Sequence, residues 1–138
     1  MTLATARRGP AGILTDMPHL DLMDETFIVA APRTVATVVA DRTRWAQWWP
    51  GLELTVQEDR GIAGIRWLVS GPWVGSMEIW VQPHLDGVIA HYYLRVDPAG
   101  GRLPARRPGR RGRDWQRRAK RVLWALKDEL EKGRPVGE

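Results

Sequence analysis

The period of apolar and polar positions changes several times along the chain, and each change marks an element. Residues 24–31 (DETFIVAA) alternate weakly, but Thr, Phe, Ile and Val dominate and Pro32 ends the run, which predicts a strand. Pro32 suits the first turn of a helix. Over 33–41, Val35, Val38 and Val39 recur at i, i+3 and i+4, a helical face. A second short helix is predicted over 42–49, stopped by Pro50-Gly51. Four runs of period two follow, at 52–59, 64–70, 76–82 and 88–96. Short turns join them, so an antiparallel meander is expected.

Residues 97–113 hold three Pro and four Gly and predict a long exposed loop. Residues 114–132 regain a period of 3.6, with Ala119, Val122, Leu123, Leu126 and Leu130 in one stripe and Trp115 a turn earlier. Asp114 suits the N-cap, and Gly133 and Pro135 stop the helix. The fold class is therefore α+β. An apolar sheet face of about five strands covers a long C-terminal helix, with two short helices after the first strand. Residues 1–22 lack a sustained period and are expected to form a loosely ordered arm, with Met23 an alternative start. The domain is expected over 23–133, with 134–138 as a tail.

Composition narrows the chemistry. The 138 residues suit one domain. Cysteine is absent, which excludes disulfides, thiol nucleophiles and iron–sulfur ligation. Three histidines (His19, His84, His91) make a histidine-rich metal site an unattractive reading, and no metal or cofactor is expected. No apolar run approaches the roughly 18 residues of a membrane span. No signal peptide is read at the N-terminus, so the expected compartment is the cytoplasm. Eight of the eleven aromatic residues are Trp. The net charge of +5 is unevenly placed: residues 1–101 carry −3, 102–121 carry +9 and 122–138 carry −1.

The opening ETFIVAAP (25–32) followed by TVATVVADRTRWAQWWPG (34–51) resembles the start of SRPBCC proteins. These are the START-like helix-grip group of polyketide cyclases, pathogenesis-related allergens and lipid-transfer domains. GIRWLVSG (64–71), GSMEIWVQP (75–83) and VIAHYYLRVD (88–97) extend the similarity. The resemblance covers roughly residues 24–132 and implies a curved sheet gripping the C-terminal helix around a ligand cavity. The family usually has seven strands where five are visible here. A shorter sheet implies a smaller cavity or an open edge, and an open edge offers a route to a homodimer.

Several constellations follow, each with two readings. With Asp86-Gly87 as a turn centre, Glu78 opposes Arg95, Trp80 opposes Tyr93, and Gln82 opposes His91, with Arg66 beside Trp80. This patch is either a catalytic wall (His91, Tyr93, Arg66, Arg95) or a solvent-facing sheet side laced with ion pairs. Trp67, Val69, Met77, Ile79, Tyr92 and Leu94, opposed by Leu123 and Leu126, either line a pocket or form the core. Trp45, Trp48 and Trp49 either gate an entrance or plug the open end of the sheet, and Trp73 sits at a pocket mouth or a dimer contact. The basic segment, with Arg106, Arg107, Arg110, Arg111, Arg113 and Arg117, either binds phosphate groups of nucleic acid or anionic lipid, or is a solvated charge run.

Three functions follow. The first is binding of a hydrophobic, polyketide-like or lipid-like small molecule between sheet and helix. The second, implied by the resemblance, is a polyketide aromatase/cyclase, which requires a His or Arg aimed into the cavity. The third is an adaptor docking an anionic partner through 102–121.

Overall fold

The computed structural model describes residues 20–100 and 108–132, with side chains of the last segment described from 112 onward. Strand β1 (Leu20–Ile28) leads to helices α1 (Pro32–Val39) and α2 (Arg42–Trp48). Strand β2 (Glu53–Asp59), a 3-10 turn (Gly61–Ala63), and strands β3 (Gly64–Ser70), β4 (Trp73–His84) and β5 (Gly87–Pro98) follow. Helix α3 (Pro108–Glu131) closes the chain. The five strands form one antiparallel sheet in the order β1-β5-β4-β3-β2. This is the architecture that the periodicity predicts.

Local chemistry explains the short helices. Pro32 presets the first turn of α1, whose Val35 and Val39 are fully buried. The Asp41 carboxylate caps α2, accepting from Thr43 N at 3.0 Å and Thr43 Oγ1 at 2.7 Å. These bonds hold the Asp41 carboxyl below the ordinary aspartate value. Arg44 of α2 then makes a two-pronged bond to Glu129 of α3, both at 2.8 Å, which ties the short helices to the long one.

Three boundaries differ from the pattern. Residues 20–22, expected in the arm, belong to β1, where Leu20 pairs with Val96. The rest of the expected arm, residues 1–19, lies outside the described residues. The expected loop at 97–113 is shorter, because β5 runs to Pro98 and α3 starts at Pro108. Pro at the first position and Gly within a helix gave the impression of a loop. Gly112 lies on the helix beside β1, where a Cβ would make an ordinary contact with Leu20 Cδ2 at 3.4 Å.

The third difference is the β4–β5 register. Glu78 opposes Tyr93, Trp80 opposes His91, and Gln82 opposes Ile89. The expected pairs were each off by two residues, which preserves the faces. The turn is Leu85-Asp86, with Leu85 at φ +53°. Gly87 is a strand residue whose smallness serves another purpose: a Cβ would lie 2.2 Å from the Ile28 carbonyl oxygen of β1.

The two sheet edges are handled differently. At the end of β1, α3 side chains cover the backbone, since Val29 N donates to Glu131 Oε2 and Lys127 Nζ donates to the Phe27 carbonyl, both at 2.8 Å. Strand β2 has a register shift between Val56 and Glu58 and exposes Glu53, Glu58 and Asp59. Irregularity and charge blunt an edge against further pairing.

Candidate functional site

The inner sheet face meets α1, α2 and α3 in a closed core. Trp67, Val69, Met77, Ile79, Tyr92, Leu94, Leu123 and Leu126, expected as pocket lining, are each 2% exposed or less. The space between sheet and helix is occupied by rings. Trp45 meets Trp67 edge to face at 5.2 Å, and Trp49 stacks on Tyr92 at 5.2 Å. Trp45 is fixed by donating its Nε1 to the Val39 carbonyl at 2.8 Å. Trp45 and Trp49 therefore plug the interior. Of the two readings of this face, the packed core is the one the side chains adopt.

The phenol of Tyr92 has protein partners. It accepts from Trp115 Nε1 at 3.0 Å and donates to Met77 Sδ at 3.2 Å. Burial pushes the phenol well above its ordinary value, so it stays a neutral donor.

The open space lies at the end of the sheet, where the α2 terminus, the β3–β4 turn, the end of β5 and the first turns of α3 converge. This cleft has a volume of about 530 Å³ and opens to solvent. Trp49, Pro50, Leu52, Pro72, Trp73, Pro98, Asp114, Trp115 and Arg118 line it. Trp73 and Trp115 meet edge to face at 5.4 Å and form one wall. Trp49 is 2% exposed and its Nε1 is buried without a hydrogen-bond partner. Arg118 Nη1 donates to the Trp48 carbonyl at 3.3 Å. Asp114 pairs with Arg117 at 3.3 Å. The cleft thus offers apolar ring faces and prolines, with the Arg118 guanidinium and the Asp114 carboxylate as its charged groups.

Of the residues expected at an entrance, Trp49 and Trp73 line this cleft, Trp48 contributes a carbonyl to its rim, and Trp45 is interior. Pro50 was expected at the entrance beside Trp49, and Arg118 only as one of the basic segment, whereas Trp115, Pro72 and Pro98 were not expected as site residues. Trp115 carried a signal, being the lone aromatic at the start of an amphipathic helix. Arg118 was hidden among nine other basic residues in the same segment.

The expected catalytic set lies on the opposite sheet face. His91 is 7% exposed and stacked between Trp80 (4.4 Å) and Tyr93 (6.2 Å). Its Nε2 is 2.8 Å from Gln82 Oε1 and its Nδ1 is 3.5 Å from Glu25 Oε2, so both ring nitrogens face partners. Glu78 is bound by Arg60, which also bridges to Glu58 at 3.1 Å. Arg66, Tyr93 and Arg95 border a shallow hollow of about 280 Å³ on this face. None of Arg66, His91, Tyr93 and Arg95 lines the end cleft.

In the basic segment, Arg113 and Arg117 are exposed on α3. Arg106 and Arg107 lie outside the described residues, as do the side chains of Arg110 and Arg111. Among the described residues there is no cluster of metal-ligating side chains, and no helix is long and apolar enough to cross a membrane.

No family model and no curated protein matches the chain. Solved structures match it in shape. The Aha1 dimer from Colwellia psychrerythraea superposes with a TM-score of 0.57 at 13% identity, covering 84% of this chain and 99% of that one. A START superfamily protein from Mycobacterium smegmatis gives 0.51 at 14% identity, with 81% and 97% coverage. The di-domain ARO/CYC protein StfQ of steffimycin biosynthesis gives 0.53 at 12% identity, covering 82% of this chain and 51% of its own length. With its five-stranded antiparallel sheet, paired short helices and long closing helix, the chain has the START-like (SRPBCC) helix-grip fold.

Proposed function

We propose that the chain binds an apolar, ring-bearing small molecule in the end cleft. The observation that carries this is the convergence of Trp49, Trp73 and Trp115 with three prolines on an open cleft of about 530 Å³. That size and lining suit a small organic ligand. Indole faces give stacking area at low entropic cost. The likeness to StfQ, an ARO/CYC protein of steffimycin biosynthesis, is in keeping with a ring-bearing ligand.

The cyclase-like alternative is weaker, because its expected acid and base lie on the other face. The adaptor alternative is weaker, because of the segment's described arginines only Arg118 borders the cleft, while Arg113, Arg117 and Arg121 are exposed on α3. Self-association through the β2 edge works against that strand's register shift and acidic residues.

Tryptophan fluorescence during titration with flavonoid, polyketide and fatty-acid compounds tests the proposal. A saturable change at micromolar ligand, lost in Trp73→Ala, is expected. No response to any compound, or unchanged binding in Trp73→Ala, would contradict it.

A further inference from the structure

We infer that the ligand of this cleft carries an anionic group, with a carboxylate as the best match, and that Arg118 receives it. The inference rests on the cleft being a binding site. Arg118 follows Trp115 by three residues and Asp114 by four on α3, so the helix sets it beside both. Arg118 is half-buried, yet its one hydrogen bond among the described residues goes to an uncharged acceptor, the Trp48 carbonyl. The nearest acid in sequence, Asp114, is engaged by Arg117 instead.

A guanidinium has five N–H donors in a planar fork. Beyond the Trp48 carbonyl, that fork has no protein partner among the described residues, and its remaining N–H groups are not buried. Trp49 Nε1 is itself enclosed, so it stands behind the cleft wall rather than on its surface. Asp114, the acid in the lining, is engaged by Arg117, which leaves the Arg118 guanidinium as the charge the cleft offers a ligand, and its complement is an anionic acceptor. A carboxylate on a flat apolar body meets both demands, because its two oxygens match the fork while the rings lie on Trp73 and Trp115. A positively charged ligand of the kind held by aromatic cages would face Arg118 directly and is disfavoured.

The test compares 2-naphthoate with 2-naphthamide, which share one ring system and differ in charge, by calorimetric titration of the full chain at low salt. Naphthoate is expected to bind at least tenfold more tightly. Arg118→Gln should abolish that preference by weakening naphthoate far more than naphthamide, and Arg118→Lys should keep part of it. Equal affinity for both compounds in the parent protein would overturn the anionic inference and leave the cleft reading intact. A preference that survives in Arg118→Gln would assign the charge to another cation and overturn the role of Arg118. Binding of neither compound would overturn the cleft reading, and this inference with it.

Discussion

The interior of the grip and the cleft at its end are built from the same residue types and do opposite things. In the interior, Trp67 and Tyr92 are almost wholly enclosed, with Trp45 and Trp49 packed against their rings. At the end, Trp73 and Trp115 meet edge to face and border open space beside three prolines. The difference comes from what stands opposite. Interior positions are covered by α1, α2 and the apolar stripe of α3. At the cleft, the neighbours are a turn, a strand end and the start of a helix, none of which supplies a filling side chain. Among the described residues, two indoles from the short-helix region fill the space between sheet and helix, and the open space lies at the rim, where the proposed ligand would bind.

Substitutions can break this contrast. The largest effect is expected for Trp67→Ala, which empties a packed core position and should cost about 3–5 kcal/mol in urea unfolding. A cost below about 1 kcal/mol would mean that the interior is not packed. Gly64→Ala comes next, because φ is +114° and a Cβ would stand 2.0 Å from the Ile79 carbonyl oxygen. A loss of about 2 kcal/mol or more is expected from strain and strand separation.

Trp73→Ala sharpens the contrast from the other side. It should weaken binding of a ring-bearing ligand about tenfold, with a stability change of about 1 kcal/mol or less. Tyr92→Phe links the two regions, since it leaves Trp115 Nε1 without its acceptor. A cost of about 1 kcal/mol is expected.

The pH dependence of that pair has a definite sign. Burial raises the folded-state value of Tyr92, so the folded chain keeps a proton that the unfolded chain releases. The stability this confers is present below the ordinary tyrosine value of about 10 and falls as pH rises beyond it, by up to about 1.4 kcal/mol per pH unit. Unfolding midpoints measured across alkaline pH should show this slope in the parent protein and a shallower one in Tyr92→Phe. The smallest effect is expected for Arg44→Ala, about 0.5 kcal/mol, because the Arg44–Glu129 pair is half-exposed and screened by water. Added salt should reduce even that.

The elements were largely legible because period two and period 3.6 leave different marks, and Pro32, Pro50 and Gly133 punctuate them. Gly87 misled because a glycine after Asp reads as a turn residue, while its actual constraint is the approach of Ile28 in β1, which no local pattern connects to it. Pro108, Gly109 and Gly112 also misled: propensity argues for a loop, yet α3 starts at Pro108 and runs through them. The polar face was legible as a face, since a shift of two residues keeps every side chain on its side. The site was only half legible. Alternation identifies which residues point inward, but whether inward residues enclose a void depends on how far Trp45 and Trp49 reach, and that is set by tertiary geometry. The cleft joins residues 49–52, 72–73, 98 and 114–118, and no local pattern connects them.

The most direct test follows the eight indole N–H signals by two-dimensional ¹H–¹⁵N NMR while 2-naphthoate is added. The signals of Trp49, Trp73 and Trp115 should shift together and saturate, while those of Trp67 and Trp80 stay in place. A leading shift of Trp67 would relocate the ligand to the interior, a leading shift of Trp80 would move it to the outer face, and either result would contradict the account.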